Sequence, residues 1–148
     1  MASTGEGCGC PPTATDGGAH GVHHLIINAT DLERSRRFYA WLMPRLGYPG
    51  VHHEAGASGW FGQAGSFWVK QAHGVDGPGF DKDHVGLCEI AFRAGSRAEV
   101  DDLAAALGDV GVPILHPPRV YDQYVPGYYA VFFTDPDGIK LELVHIPE

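Results

Sequence analysis

Apolar and polar residues alternate with period two in several short stretches, and apolar residues recur at helical spacing between them. In Val22-His23-His24-Leu25-Ile26-Ile27-Asn28, Leu25 and Ile27 fall on one side and His24 and Ile26 on the other, the pattern of a strand. Thr30-Asp31-Leu32-Glu33 places a threonine three residues before a glutamate, a capping box that predicts a helix start with Thr30 at the cap. Leu32, Tyr39, Leu42 and Leu46 form the apolar stripe of that helix, and Pro44 and Gly47 close it. Three short strands are then predicted, at roughly 48–53, 58–62 and 66–71, separated by glycine-rich turns.

The stretch 72–85 is rich in Gly and Asp and reads as a linker. Beyond it the same order of elements returns. Leu87-Cys88-Glu89-Ile90-Ala91-Phe92-Arg93 alternates as a strand, and Ser96-Arg97-Ala98-Glu99 is a second capping box, opening a helix striped by Val100, Leu103, Ala104 and Leu107. Strands are predicted at about 113–116, 128–133 and 139–145, the last two joined by the turn Asp135-Pro136-Asp137-Gly138. After that turn Leu141 and Leu143 share one face, while Lys140, Glu142 and Val144 share the other. The chain therefore reads as an α+β fold of two repeated βαβββ units, roughly 21–73 and 85–148. Aligning the repeats sets Gly65-Ser66-Phe67-Trp68-Val69 against Gly138-Ile139-Lys140-Leu141-Glu142.

Composition narrows the class of protein. A chain of 148 residues with 44% hydrophobic content can bury a core. A formal net charge of -8 argues against a nucleic-acid partner, which calls for a basic patch. No run is long and apolar enough to span a bilayer, and the start lacks signal-peptide order, so no membrane partner and a cytoplasmic location are expected. Residues 1–20 read as a disordered tail, and the Cys8-Gly9-Cys10 pair within it lacks the further ligands of a metal site.

The faces of the strands carry the candidate chemistry. If the helices cover Leu25/Ile27, Ile90/Phe92 and Leu141/Leu143, the opposite face presents His24, Glu89 and Glu142 together. One imidazole and two carboxylates are a partial shell for a divalent metal, and equally an ordinary solvated sheet face; parity leaves both open. His23, of opposite parity to His24, is expected on the helix side. Phe67, Tyr128 and Phe132 are expected on the open face as an aromatic substrate wall. Tyr121, Asp122 and Tyr124 lie in a loop above the last strands, where either tyrosine is placed to give a proton to a substrate oxygen.

His24 through Ser35 (His-Leu-Ile-Ile-Asn-Ala-Thr-Asp-Leu-Glu-Arg-Ser) with Phe38-Tyr39, Glu89-Ile90-Ala91-Phe92-Arg93, and Asp135-Pro136-Asp137-Gly138 with Glu142, taken in this order, resemble the vicinal oxygen chelate superfamily. That group holds glyoxalase I, fosfomycin-resistance transferases, bleomycin-resistance proteins and extradiol dioxygenases. The resemblance implies paired βαβββ units curling into a cupped mixed sheet around one divalent ion: Ni, Zn, Mn, Co or Fe(II). It implies His24, Glu89 and Glu142 as metal ligands, with Glu89 standing where many members have histidine. It puts Val69 in the place of a fourth glyoxalase ligand. With the glyoxalase-type mechanism that the resemblance implies, Glu89 or Glu142 is expected to move the proton, with Tyr124 of the loop as a further catalytic candidate and Phe67, Tyr121, Tyr128 and Phe132 expected against a small substrate bearing adjacent oxygens. It also implies a homodimer in which each site is shared between chains. The implied activity is a metal-dependent lyase or isomerase of the glyoxalase type. The alternative is a bleomycin-resistance-type binding protein for an aromatic natural product. Glu89 breaks the two-histidine, one-carboxylate set of extradiol dioxygenases, and Ala130 and Phe132 stand where fosfomycin transferases carry hydroxyl groups.

Overall fold

The computed structural model describes residues 21–74 and 79–147. Its elements are β1 (His24–Ala29), α1 (Leu32–Leu42), a 3-10 turn (Met43–Leu46), β2 (Gly50–Glu54), β3 (Ala57–Gly62) and β4 (Gly65–Gln71), followed by β5 (Ile90–Arg93), α2 (Arg97–Asp109), β6 (Ile114–Val120), β7 (Tyr129–Thr134) and β8 (Lys140–His145). The repeat is real. Two four-stranded mixed sheets run β1-β4-β3-β2 and β5-β8-β7-β6, each with one parallel and two antiparallel pairings. The expected tail at 1–20 and its two cysteines lie outside the described residues.

The helix starts differ in their chemistry. At α2 the predicted box forms: the Ser96 hydroxyl accepts from the Glu99 N–H at 3.2 Å, and the Glu99 carboxylate reaches back to the Gly95 N–H at 2.9 Å. At α1 the cap is Asp31, not Thr30, its carboxylate accepting from the Arg34 N–H at 3.0 Å. Asp31 is the stronger competitor because an ionised acceptor bonds a helix N-terminus more tightly than a hydroxyl. Thr30 is thereby released to bond Asp137 in the other unit, its N–H donating at 3.0 Å. Pro44 sits in the first positions of the 3-10 turn, and Gly47, at φ +87°, ends it in a conformation that favours glycine.

Both units share one core. Leu32, Tyr39 and Leu42 of α1 and Val100, Leu103 and Leu107 of α2 pack in one cluster with Ile27, Ile90, Phe92, Leu141 and Leu143. Thus the strand faces predicted to meet the helices do so. The Asp-Pro-Asp-Gly turn clasps the units. Asp135, buried, accepts from the Asp137 and Ile139 N–H groups at 2.9 and 2.8 Å and from the Tyr39 hydroxyl of α1 at 2.9 Å. Asp137 pairs with Arg34 at 2.6 Å. Burial pushes the Asp135 carboxyl and the Tyr39 hydroxyl above their usual ranges, the latter also raised by Asp135 beside it.

Two expected positions on the open face are overturned by the register of β4. In the parallel ladder Leu25 pairs with Phe67 and Ile27 with Val69, so Phe67 and Val69 lie on the helix side. Both are buried, and the Phe67 ring stands 4.9 Å from that of Tyr39. Phe67 is a core residue, not part of a substrate wall, and Val69 does not hold the place of a metal ligand. A slip of one residue in the alignment of the repeats moves every side chain of a strand to the other face. The matching ladder pairs Ile90 with Leu141 and Phe92 with Leu143, which makes Trp68, between Phe67 and Val69, the counterpart of Glu142. His23 also departs from expectation. It precedes β1, is exposed, and bonds His24 through the two Nδ1 atoms at 3.0 Å.

Candidate functional site

Glu142 is the centre of the second unit's open face. β8 is an inner strand, paired with β5 on one side and β7 on the other, and the ladders set Glu142 between Ala91 and Phe132. A second apolar cluster of Tyr121, Ala130, Phe132 and Val144 surrounds it, with Tyr128 packed against them. Only 1% of Glu142 is exposed. Burial raises its pKa; the hydrogen bond from the Tyr128 hydroxyl to Oε1, at 2.5 Å, works the other way, as does the charge of Lys140, while the charge of Glu89 raises it further. The Tyr128 hydroxyl is itself pushed up, first by burial and then by its bond to Glu142, so the shared proton stays on the tyrosine.

Glu89 stands just before β5, two residues from Ala91, because the ladder starts only at Ile90 rather than at the expected Leu87. Its side chain keeps 34% exposure. The Oε2 atom has almost no accessible surface and is paired with Lys140, whose Nζ lies 2.6 Å away. Lys140 is the residue that sequence reasoning passed over. The alternation of β8 had placed it on this face, but a lone lysine on a strand carries no motif.

The aromatic wall is built from Tyr121, Tyr124, Tyr128 and Phe132. Tyr121 is buried with its hydroxyl unpartnered, 5.3 Å from the Phe132 ring and stacked on Tyr124 at 6.0 Å between ring centres. Tyr124 is 62% exposed and stands 5.2 Å from Tyr128. Arg119 lies over the Tyr121 ring at 4.5 Å. These rings form a wall whose rim residue is Tyr124.

His24 lies on the first unit's open face, which is a shallow concavity of about 380 Å³ bounded by His24, Ile26, Phe61, Ser66, Trp68 and Lys70. Its Nδ1 is taken by His23, leaving Nε2 uncommitted. Trp68 donates to the Ser66 hydroxyl at 3.1 Å. Ile26 and Phe61 are 48% and 41% exposed. Larger recesses of about 470 and 870 Å³ open beside the 3-10 turn and Arg93, but neither is lined by His24, Glu89 or Glu142. Among the described residues of one chain, no three His, Cys, Asp or Glu side chains gather as a metal shell. The structure thus brings Glu89, Glu142, Tyr128, Tyr121 and Phe132 to one surface and puts His24 on another.

The family model described as the Glyoxalase/Bleomycin resistance protein/Dioxygenase superfamily matches residues 21–143. The chain belongs to that superfamily. An uncharacterized protein of Bacillus subtilis, YqjT, is similar, with 34% identity covering 83% of this chain and 97% of its own. Among solved structures of the superfamily, a candidate glyoxalase from Bacillus halodurans superposes with a TM-score of 0.72 at 32% identity, covering 84% of this chain and 95% of that one. A lactoylglutathione lyase from Agrobacterium tumefaciens shares the fold, with a TM-score of 0.62 at 17% identity over 84% and 92% of the two chains. In this superfamily the paired βαβββ units of the present chain are the expected architecture, so the fold read from the alternation of residues stands.

Proposed function

We propose that the protein is a divalent-metal-dependent lyase or isomerase of the glyoxalase type, acting on a small substrate with adjacent oxygens at a site shared by two protomers. The observation that carries this reading is the buried Glu142 carboxylate, held by Tyr128 on an aromatic face with a second carboxylate, Glu89, beside it. A carboxylate is desolvated in this way at a cost of several kcal/mol unless a cation compensates. Two carboxylates, one buried and one paired with Lys140 at 2.6 Å, together with an imidazole whose Nε2 makes no hydrogen bond, are donors that suit a hard to borderline divalent ion better than a thiolate-seeking one. His24 has to come from a second copy to complete that set. The first unit's face has reason to accept one, since it exposes Ile26 and Phe61, and β1 and β5 are edge strands. In this arrangement His24 of one protomer stands beside Glu89 and Glu142 of the other.

Such an ion, when bound, polarises the substrate oxygens and stabilises the oxyanion that forms when a proton leaves carbon. The chain's own residues divide the remaining work. Tyr128 fixes the orientation of Glu142, which anchors the site from below. Glu89, one third exposed, is the carboxylate that can touch a substrate and move its proton. Phe132 and Tyr121 line the wall, and Tyr124, exposed at its rim, would protonate a substrate oxygen. Trp68 takes the register position where a fourth ligand from the first unit would stand, which leaves coordination open for substrate or water. No helix among the described residues is long and apolar enough to cross a membrane. Elemental analysis of protein purified without chelators tests the reading. About one ion per chain, lost in His24→Ala, is the expected result; a metal-free protein with no calorimetric response to Ni, Mn or Zn would favour the alternative, an aromatic-ligand binding protein.

A further inference from the structure

Lys140 lies two residues before Glu142 on the same face of β8 and projects its ammonium to Oε2 of Glu89 at 2.6 Å. Its Nζ also stands 4.5 Å from the centre of the Phe132 ring, a seat that attracts a cation through the ring's negative face. The corresponding position in the first unit is Ser66, two residues before Trp68, which carries no charge and bonds that indole. A cation at this register position is therefore peculiar to the second unit. Without Lys140 two carboxylates would share a poorly hydrated surface with no positive charge between them, a costly arrangement. Glu89 Oε2 has no accessible surface to offer while the ammonium covers it. One oxygen cannot serve a lysine at this distance and a divalent ion at once.

We propose that Lys140 is a built-in counter-cation that holds the metal's place at Glu89, so that loading of the site is an exchange in which the ammonium leaves Glu89 and swings aside on its flexible stem. The inference rests on the metal reading given above. Lys140 neutralises the two-carboxylate surface in the metal-free chain and sets how tightly an ion can bind. It acts by charge and occupancy, not as a ligand, and it is a determinant of metal affinity that no spacing motif reveals.

The test is calorimetric titration of the full-length, metal-free protein with Ni²⁺, comparing the parent with Lys140→Met and Lys140→Arg. Methionine keeps an unbranched apolar stem against Phe132 and removes the charge; arginine keeps the charge. Lys140→Met should bind the ion at least about tenfold more tightly, since a unit positive charge next to the site has gone, and Lys140→Arg should stay within about threefold of the parent. Lys140→Gln serves the same comparison if the methionine variant does not fold. A parent that binds no ion while the uncharged variant does would overturn both the exchange and a resident metal in the natural protein. A parent that binds and an uncharged variant that binds equally or more weakly would overturn the role of Lys140 alone. No binding in any of the proteins would overturn both readings.

Discussion

The hydroxyl of Tyr128 donates a 2.5 Å hydrogen bond to Oε1 of Glu142, a carboxylate with 1% of its surface exposed. That bond opposes the burial that raises the Glu142 pKa. Tyr128→Phe removes the opposing influence, so Glu142 should release its proton only at still higher pH. Metal binding needs the ionised form. The acidic limb of a plot of Ni²⁺ affinity against pH should therefore move to higher pH in Tyr128→Phe, with the affinity at alkaline pH changed much less. An unshifted limb would mean that Tyr128 does not govern this carboxylate.

The same raised pKa has a consequence for stability. Because the folded chain holds the Glu142 proton more tightly than the unfolded chain, the group's favourable contribution is full below the unfolded pKa and is lost as pH rises through the folded one. Glu142→Gln removes that loss. The metal-free variant should melt a few degrees above the metal-free parent at about pH 8, and the gap should narrow toward about pH 4. Thermal melts of both proteins across that range decide the matter, and a variant less stable than the parent at alkaline pH would contradict the assignment.

Glu89→His separates ligation from proton transfer. Imidazole still offers a donor, and Ni²⁺ should bind within about tenfold of the parent. Turnover at full occupancy should fall by about a hundredfold or more, because an imidazole committed to an ion through one nitrogen cannot take a proton from the same place. Parental turnover in a fully loaded Glu89→His protein would move the base to Glu142 or to Tyr124.

A site shared between chains has a distinct genetic signature. His24→Ala and Glu142→Ala proteins should each be inactive, yet mixing them under conditions of subunit exchange should restore about a quarter of parental activity, since half of the dimers are mixed and each has one intact site. Proven exchange with no recovery would place each site within a single chain.

What the sequence made legible follows from the strength of each physical signal. The strands around Ile27, Phe92 and Leu143 were readable because burial against a helix enforces a strict alternation, and α2 because Ser96 and Glu99 complete both halves of a capping box. At α1 two adjacent residues, Thr30 and Asp31, compete for the cap; the ionised acceptor takes it, and Thr30 is left to bond Asp137 in the distant turn. Phe67 and Val69 were misplaced for another reason. Gly65-Ser66-Phe67-Trp68-Val69 is apolar on both faces, so only pairing with β1 reveals which side is which. Tyr128, Phe132 and Glu142 lie on one face as alternation predicts. Lys140 belongs with them, and its meeting with Glu89 joins strands 51 positions apart through the parallel pairing of β5 and β8, a contact that local pattern does not contain.

In the proposed site a divalent ion is held by Glu89 and Glu142 of one protomer and His24 of another. Crystals grown with Mn²⁺ and measured at the manganese absorption edge would locate the ion by its anomalous signal. The predicted result is a single peak per chain on the Tyr128–Glu142 face, within ordinary coordination distance, about 2.0–2.3 Å, of both carboxylates and of an imidazole from the second copy. A dimer with no peak on that face, or a peak whose protein ligands exclude His24, would contradict it.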